Sequence, residues 1–189
     1  MGFLQDWKKQ GHISESTARQ LTLFAAAIHD WNPRINLTGF KTVEQIEEVL
    51  IGECLRALPH LQSAGRSILD FGSGAGVPGL VWAIAQPSCT VTSVEIRQKK
   101  VAFQKEMVRA MQLKNAEILS GLFPKAVADR RFDVIVTRAI RFSPKLWADA
   151  RRLLTPDGRL VQFSTPGKDP GAGWMSVPVS PLTTLWIGK

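Results

Sequence analysis

The chain has 189 residues, 44% of them hydrophobic, enough for one substantial core or for one domain with a small cap. Its net charge is +8, and the excess is lopsided: residues 1–62 hold six Lys/Arg against seven Asp/Glu, residues 63–189 eighteen against nine. A basic second part suits a polyanion such as RNA, while Cys54 and Cys89 fit no metal-ligand or redox spacing and read as buried free thiols of a reducing compartment.

Three helical stretches are expected in the first sixty residues. Ser16 through Trp31 places Leu21, Phe24, Ile28 and Trp31 on one helix face, and Asn32-Pro33 is expected to stop it. Val43 to Leu61 repeats the pattern with Ile46, Val49, Leu50 and Leu58, ending near Pro59. The run Leu21 to Ile28 is far too short to span a bilayer, and Asp6, Lys8 and Lys9 precede no long apolar run, so no signal peptide, no membrane contact and a cytoplasmic location are expected.

From Gly65 the texture changes to short strands alternating with helices. Strands are expected at Ser67–Phe71, Thr90–Glu95, Ala116–Ser120, Phe132–Thr137 and Arg159–Ser164. Helices are expected at about Leu80–Ala85, Gln98–Met111 and Pro144–Leu154, with a short one around Pro124–Ala128. Such alternation builds a mostly parallel sheet with helices on both faces. Leu153-Leu154-Thr155-Pro156-Asp157-Gly158 reads as a helix end and a turn. The tail, rich in Pro and Gly from Pro166 to Gly173, reads as a loop before a last hairpin from Trp174–Pro178 and Leu182–Ile187.

The most informative stretch is Asp70-Phe71-Gly72-Ser73-Gly74-Ala75-Gly76-Val77-Pro78-Gly79, where the first strand opens through a glycine turn into a helix. Dinucleotide folds space their glycines G-x-G-x-x-G to seat a pyrophosphate on the helix N-terminus. Here the third glycine comes one residue early, and Asp70 precedes the first by two positions. A carboxylate aimed at the turn repels a pyrophosphate and suits an ammonium or sulfonium, which points to S-adenosylmethionine. Glu95, at the tip of the second strand, is placed to accept both hydrogens of a ribose diol. No catalytic triad, zinc cluster or phosphate-cradling Lys-Ser/Thr motif is present, and no metal is expected.

Trp31-Asn32-Pro33-Arg34-Ile35-Asn36-Leu37-Thr38, the glycine corner with Val77-Pro78-Gly79, Glu95, Lys99-Lys100 and Thr137-Arg138-Ala139 together resemble the glucose-inhibited-division B family. Its members are bacterial 16S ribosomal RNA guanine-N7 methyltransferases, and the resemblance covers about residues 15 to 165. It implies a class I S-adenosylmethionine-dependent methyltransferase fold, α/β and Rossmann-like. Residues 1–63 would form a helical cap and residues 64–189 the cofactor-binding domain. By position it also implies that Gly72 and Val77 line the methionine side of the cofactor, that Asp70 and Gly74 belong to the cofactor site with them, that Glu95 holds the ribose, and that Phe123-Pro124 flank the adenine. Arg138, at the tip of strand four, resembles the family's arginine beside cofactor or substrate, and the implied partner is 16S rRNA or the small subunit.

Three departures from the family pattern stand out. Leu50-Ile51-Gly52-Glu53-Cys54 replaces a His-Ile-x-Asp-Ser stretch. Phe163-Ser164-Thr165-Pro166-Gly167-Lys168 displaces a lysine at the end of strand five, and Leu122 stands where an arginine is usual. They leave open a different methyl acceptor, or a non-catalytic RNA- or nucleotide-binding module on the same fold. Guanine N7 is an exposed lone pair, so its methylation needs no general base. Positioning carries the catalysis, with Arg97, Lys99, Lys100, Arg138 and Arg141 expected to hold phosphates.

Overall fold

A computed structural model describes residues 2–62, 65–138, 140, 143–168, 170–171 and 173–188. The expected boundary at residues 63 and 64, and the roles expected of Ala139 and Arg141, lie outside the described residues. Seven strands form one sheet: β1 Ser67–Phe71, β2 Thr90–Glu95, β3 Ala116–Ser120, β4 Phe132–Arg138, β5 Leu154–Ser164, β6 Met175–Ser180 and β7 Thr183–Gly188. Their order is β3-β2-β1-β4-β5-β7-β6. The first five are parallel to their neighbours, whereas β7 runs antiparallel to both β5 and β6.

Side-chain alternation along the strands sorts the core onto two faces. Ile68, Val91, Val134, Val136 and Val161 join one cluster with Phe24, Ile28, Leu80, Trp82 and Phe103. Leu69, Phe71, Val94, Ile135 and Leu160 join the other, with Val127, Ala150 and Leu153. The first face is covered by α1 Phe3–Lys9, α2 Glu15–Ile35, α5 Gly79–Ala85 and α6 Gln98–Ala110; the second by a 3₁₀ turn, Lys125–Val127, and α7 Pro144–Arg152. Phe103 of α6 stacks on Phe24 of α2 with centroids 6.3 Å apart. Trp82 of α5 donates through Nε1 to the Cys54 carbonyl at 2.9 Å, joining the N-terminal helices to the sheet.

Two boundaries differ from expectation by more than two residues. Helix α2 runs through Pro33 to Ile35 and ends at Asn36, whose φ is +52°. Proline removes one donor and crowds the preceding turn. The Asn32 side chain offsets this by securing the exit: Oδ1 accepts from Leu37 N at 2.7 Å and Thr38 N at 2.9 Å, and Nδ2 donates to Thr38 O and Phe40 O. Strand β5 begins at Leu154, before the Pro-Asp-Gly turn, because the turn is absorbed as a bulge: Phe132 pairs with Leu154 and Val134 with Arg159. Asp133 anchors the bulge by accepting from Thr155 Oγ1 at 2.9 Å, and it also accepts from Ser67 N and Oγ.

The second cap stretch is divided into α3 Val43–Gln45, a π-helical segment Ile46–Ile51, α4 Gly52–Ala57 and a 3₁₀ turn Leu58–His60. Cys54 and Cys89 are buried free thiols, with burial pushing them up to about 12 and about 11. Among the described residues no helix is long and apolar enough to cross a membrane.

Candidate active site

β1 is flanked by β2 and β4, whose connections depart in opposite directions; this switch point opens a crevice at the carboxyl ends of the strands. A cleft of about 440 Å³ lies there, and Gly72, Gly74, Glu95, Phe123 and Arg138 are all on its wall. That volume lies within the usual range for a small-molecule site. Gly72, at φ +68°, needs its missing Cβ: one would lie 2.1 Å from Ile140 Cδ1. Phe71 and Phe123 stack with centroids 4.3 Å apart and give the cleft a flat apolar side.

Glu95 is nearly fully buried. Its Oε2 accepts from Gly74 N at 2.8 Å, and its Oε1 accepts from Ile96 N and Arg97 N at 2.9 Å each. A carboxylate offers about four acceptor positions, so three are filled by backbone and one, on Oε2, is left for a ligand. A two-oxygen grip on a ribose diol therefore requires one backbone bond to yield.

The glycine turn is also held from behind. Gln104, fully buried on α6, donates through Nε2 to Gly74 O at 2.9 Å and exchanges bonds with Ser73 Oγ. Both polar groups of Gly74 are thus fixed, one by Glu95 and one by Gln104. Sequence reasoning passed over Gln104. Its signal was a polar residue on the apolar face of α6, between the buried Val101, Phe103 and Met107.

Three expected ligand contacts stand elsewhere. Asp70 is fully buried and turned toward α5, not into the cleft, because the first amide of α5 needs an acceptor: Gly79 N donates to Oδ2 at 2.8 Å. Asp70 Oδ1 has no partner among the described residues. Burial pushes the carboxyl up to about 7, with the Gly79 N–H opposing and the Glu95 charge adding to the rise. Val77 packs in the core, and Pro124 adjoins Phe123 outside the cleft wall.

Of the expected phosphate-holding set, Arg97 and Lys100 are at the cleft, and Lys99 is exposed beside them. Burial lowers Lys100, aided by Arg97. Arg138 is engaged instead with the cap: Nη2 donates to Glu53 Oε2 at 2.6 Å and Nη1 to Leu50 O at 3.0 Å. Leu122, 58% exposed, and Ile96, 55% exposed, form an apolar rim.

The sheet order, the crevice at the switch point and the fixed acid at the tip of β2 define a class I S-adenosylmethionine-dependent methyltransferase. The cleft fits such a cofactor in its chemistry: Glu95 keeps one acceptor position, Gly72 and Gly74 admit close approach to backbone, and Phe71 and Phe123 present a flat apolar face. A methyltransferase from Aquifex aeolicus shares the fold at a TM-score of 0.58 and 18% identity, over 75% of this chain and 91% of that one. TrmN from Thermus thermophilus does so at 0.57 and 16%, over 71% of this chain and 47% of that one. The family model GidB, rRNA small subunit methyltransferase G, matches residues 17–166, and the chain belongs to that family. The Ribosomal RNA small subunit methyltransferase G of Burkholderia ambifaria is 35% identical over 153 residues, spanning 78% of this chain and 67% of that protein. The protein of the same name from Aromatoleum aromaticum is 30% identical over 188 residues, spanning 94% and 88%.

Proposed function

We propose that this chain transfers a methyl group from S-adenosylmethionine to N7 of a guanine in the 16S RNA of the small ribosomal subunit. The observation that carries the reading is Glu95, locked by three backbone N–H groups at the tip of β2 and facing the crevice. The names of the relatives support small-subunit ribosomal RNA as the acceptor, the family resemblance read in the sequence supports guanine N7, and the basic excess of residues 63–189 agrees with an RNA partner. A ribosomal acceptor supports a cytoplasmic location.

When bound, S-adenosylmethionine supplies an electrophilic methyl on a sulfonium. Guanine N7 presents an in-plane lone pair and loses no proton on attack, so the site needs no general base. The free position on Glu95 Oε2 takes a ribose hydroxyl; Gly72 and Gly74 let the methionine portion lie against backbone; Phe71 and Phe123 face the adenine. Asp70, Val77 and Gln104 hold the turn from behind. Ile96 and Leu122 offer an apolar rim to an unstacked base, while Arg97, Lys99 and Lys100 offer charge to the flanking phosphates. Arg138, on the cleft wall, serves an anionic group, the carboxylate of the cofactor or an RNA phosphate. Residues 1–63 act as the cap and residues 64–189 as the donor-binding part.

The test is methyl-labelled S-adenosylmethionine with 30S subunits or naked 16S RNA, followed by mapping of the label. Incorporation at one guanine N7 is expected. No label in either substrate refutes the reading, and label in a different RNA would favour a changed acceptor, the outcome to which Leu122 on the rim lends support.

A further inference from the structure

Arg138 is held at the cleft by a part of the chain far from it in sequence. Glu53, on α4 of the cap and fully buried, accepts from Arg138 Nη2 at 2.6 Å across 85 residues. Its other oxygen accepts from Ser180 Oγ, at the end of β6, at 2.5 Å. Arg138 Nη1 donates to Leu50 O at 3.0 Å and to Cys54 Sγ at 3.5 Å. The guanidinium also lies over the Phe163 ring, 5.5 Å from its centroid.

The local helix geometry explains why Leu50 can help. A π-helical segment pairs donors with carbonyls five residues back, so where it gives way to α4 the ladder changes register and carbonyls become available to other donors. Leu50 O takes Cys54 Sγ at 3.1 Å as well as Arg138, and Glu48 O takes Arg56 Nη1 at 3.4 Å. A guanidinium has five N–H donors. Three of those on Arg138 go to the cap, and the remaining two have no partner among the described residues. A buried carboxylate left without its cation is strongly unfavourable, so Glu53 keeps the guanidinium where it stands.

We propose that Glu53 is a positioning residue, which fixes Arg138 on the cleft wall with two donors left over for an anionic ligand and so makes ligand binding at the cleft depend on the cap. The inference rests on the proposed reading of Arg138 as a ligand contact in the cleft, but not on which nucleotide accepts the methyl group. The anionic group it serves is either the carboxylate of the cofactor or an RNA phosphate, and two arms separate them.

In the first arm, S-adenosylhomocysteine is titrated by calorimetry into the 189-residue protein and into Glu53→Gln, Arg138→Ala and the double variant. Each single variant is expected to weaken binding about tenfold, roughly 1.4 kcal/mol, and the double variant to be no weaker than Arg138→Ala alone. In the second arm, methyl transfer to 30S subunits is measured at saturating cofactor. An effect confined to KM for RNA moves the served group to a phosphate while keeping Glu53 as its positioner.

Glu53→Gln behaving like the parent in both arms while Arg138→Ala is impaired, or additive losses in the double variant, would overturn the proposal. Should Glu53→Gln not fold, Glu53→Asp, which keeps the charge but draws it back by one methylene, is expected to show the same loss and non-additivity, and parent-like behaviour would overturn the proposal. A parent protein that binds S-adenosylhomocysteine but labels no RNA would refute the proposed function and leave the first arm intact.

Discussion

Replacing Asp70 by asparagine should flatten the pH dependence of stability. The carboxyl titrates near its ordinary value of 3.8 when unfolded and at about 7 when folded. Between those values the folded state holds a proton that the unfolded state has released, so stability falls as pH rises. It is full below the unfolded value, declines by about 1.4 kcal/mol per pH unit, and levels off above the folded value. Across the whole window this single group accounts for about 4 kcal/mol, of which about 2 kcal/mol falls between about pH 5.5 and pH 8. In Asp70→Asn the amide oxygen would still accept from Gly79 N, but the side chain carries no charge to bury. Urea unfolding of both proteins across that range, compared at each pH, cancels other groups such as Glu47, which burial also raises. The parent should lose about 2 kcal/mol more than Asp70→Asn. Parallel curves would refute the account of Asp70 as a carboxyl whose charge is disfavoured by burial.

Other outcomes are equally direct. Gly79→Ala should destabilise by about 1–3 kcal/mol in thermal or urea unfolding, because a Cβ there meets Asp70 Oδ2 at 2.9 Å and Ser93 Oγ at 3.0 Å. Glu95→Gln sets an amide against the backbone donors that now face a carboxylate, and should weaken S-adenosylhomocysteine binding about tenfold to a hundredfold by calorimetry. Gln104→Leu leaves Gly74 O and Ser73 Oγ without their buried partner, and should weaken the same binding while costing about 1–3 kcal/mol of stability. Gly72→Ala should nearly abolish binding in the same titration, since the left-handed backbone and Ile140 both oppose a Cβ.

Strands β1, β2 and β3 were legible to the residue because alternation and a following glycine or helix start are local signals. The misplaced boundaries share a cause that no local pattern carries. Pro33 does not stop α2 because Asn32 reaches forward to Leu37, Thr38 and Phe40. The Pro-Asp-Gly turn lies within β5 because Asp133, on the neighbouring strand, holds Thr155. At the site, the glycine wall and Glu95 followed from spacing, whereas the direction of Asp70 depended on which donor it met after folding. The Glu53 contact joins residues that only the folded sheet brings together, and Gln104 reads in sequence as one more polar residue on a basic helix.

The apolar cluster that begins at Leu4 in α1 continues without a break through Trp82 and Phe103 to Ile187 in β7. The leading helices own no interior apart from the one they share with the sheet, so peeling them away would lay bare the flank they cover. Heat or denaturant should accordingly melt the molecule in one step, and an excised trailing fragment would present a greasy face and clump instead of standing as a catalyst.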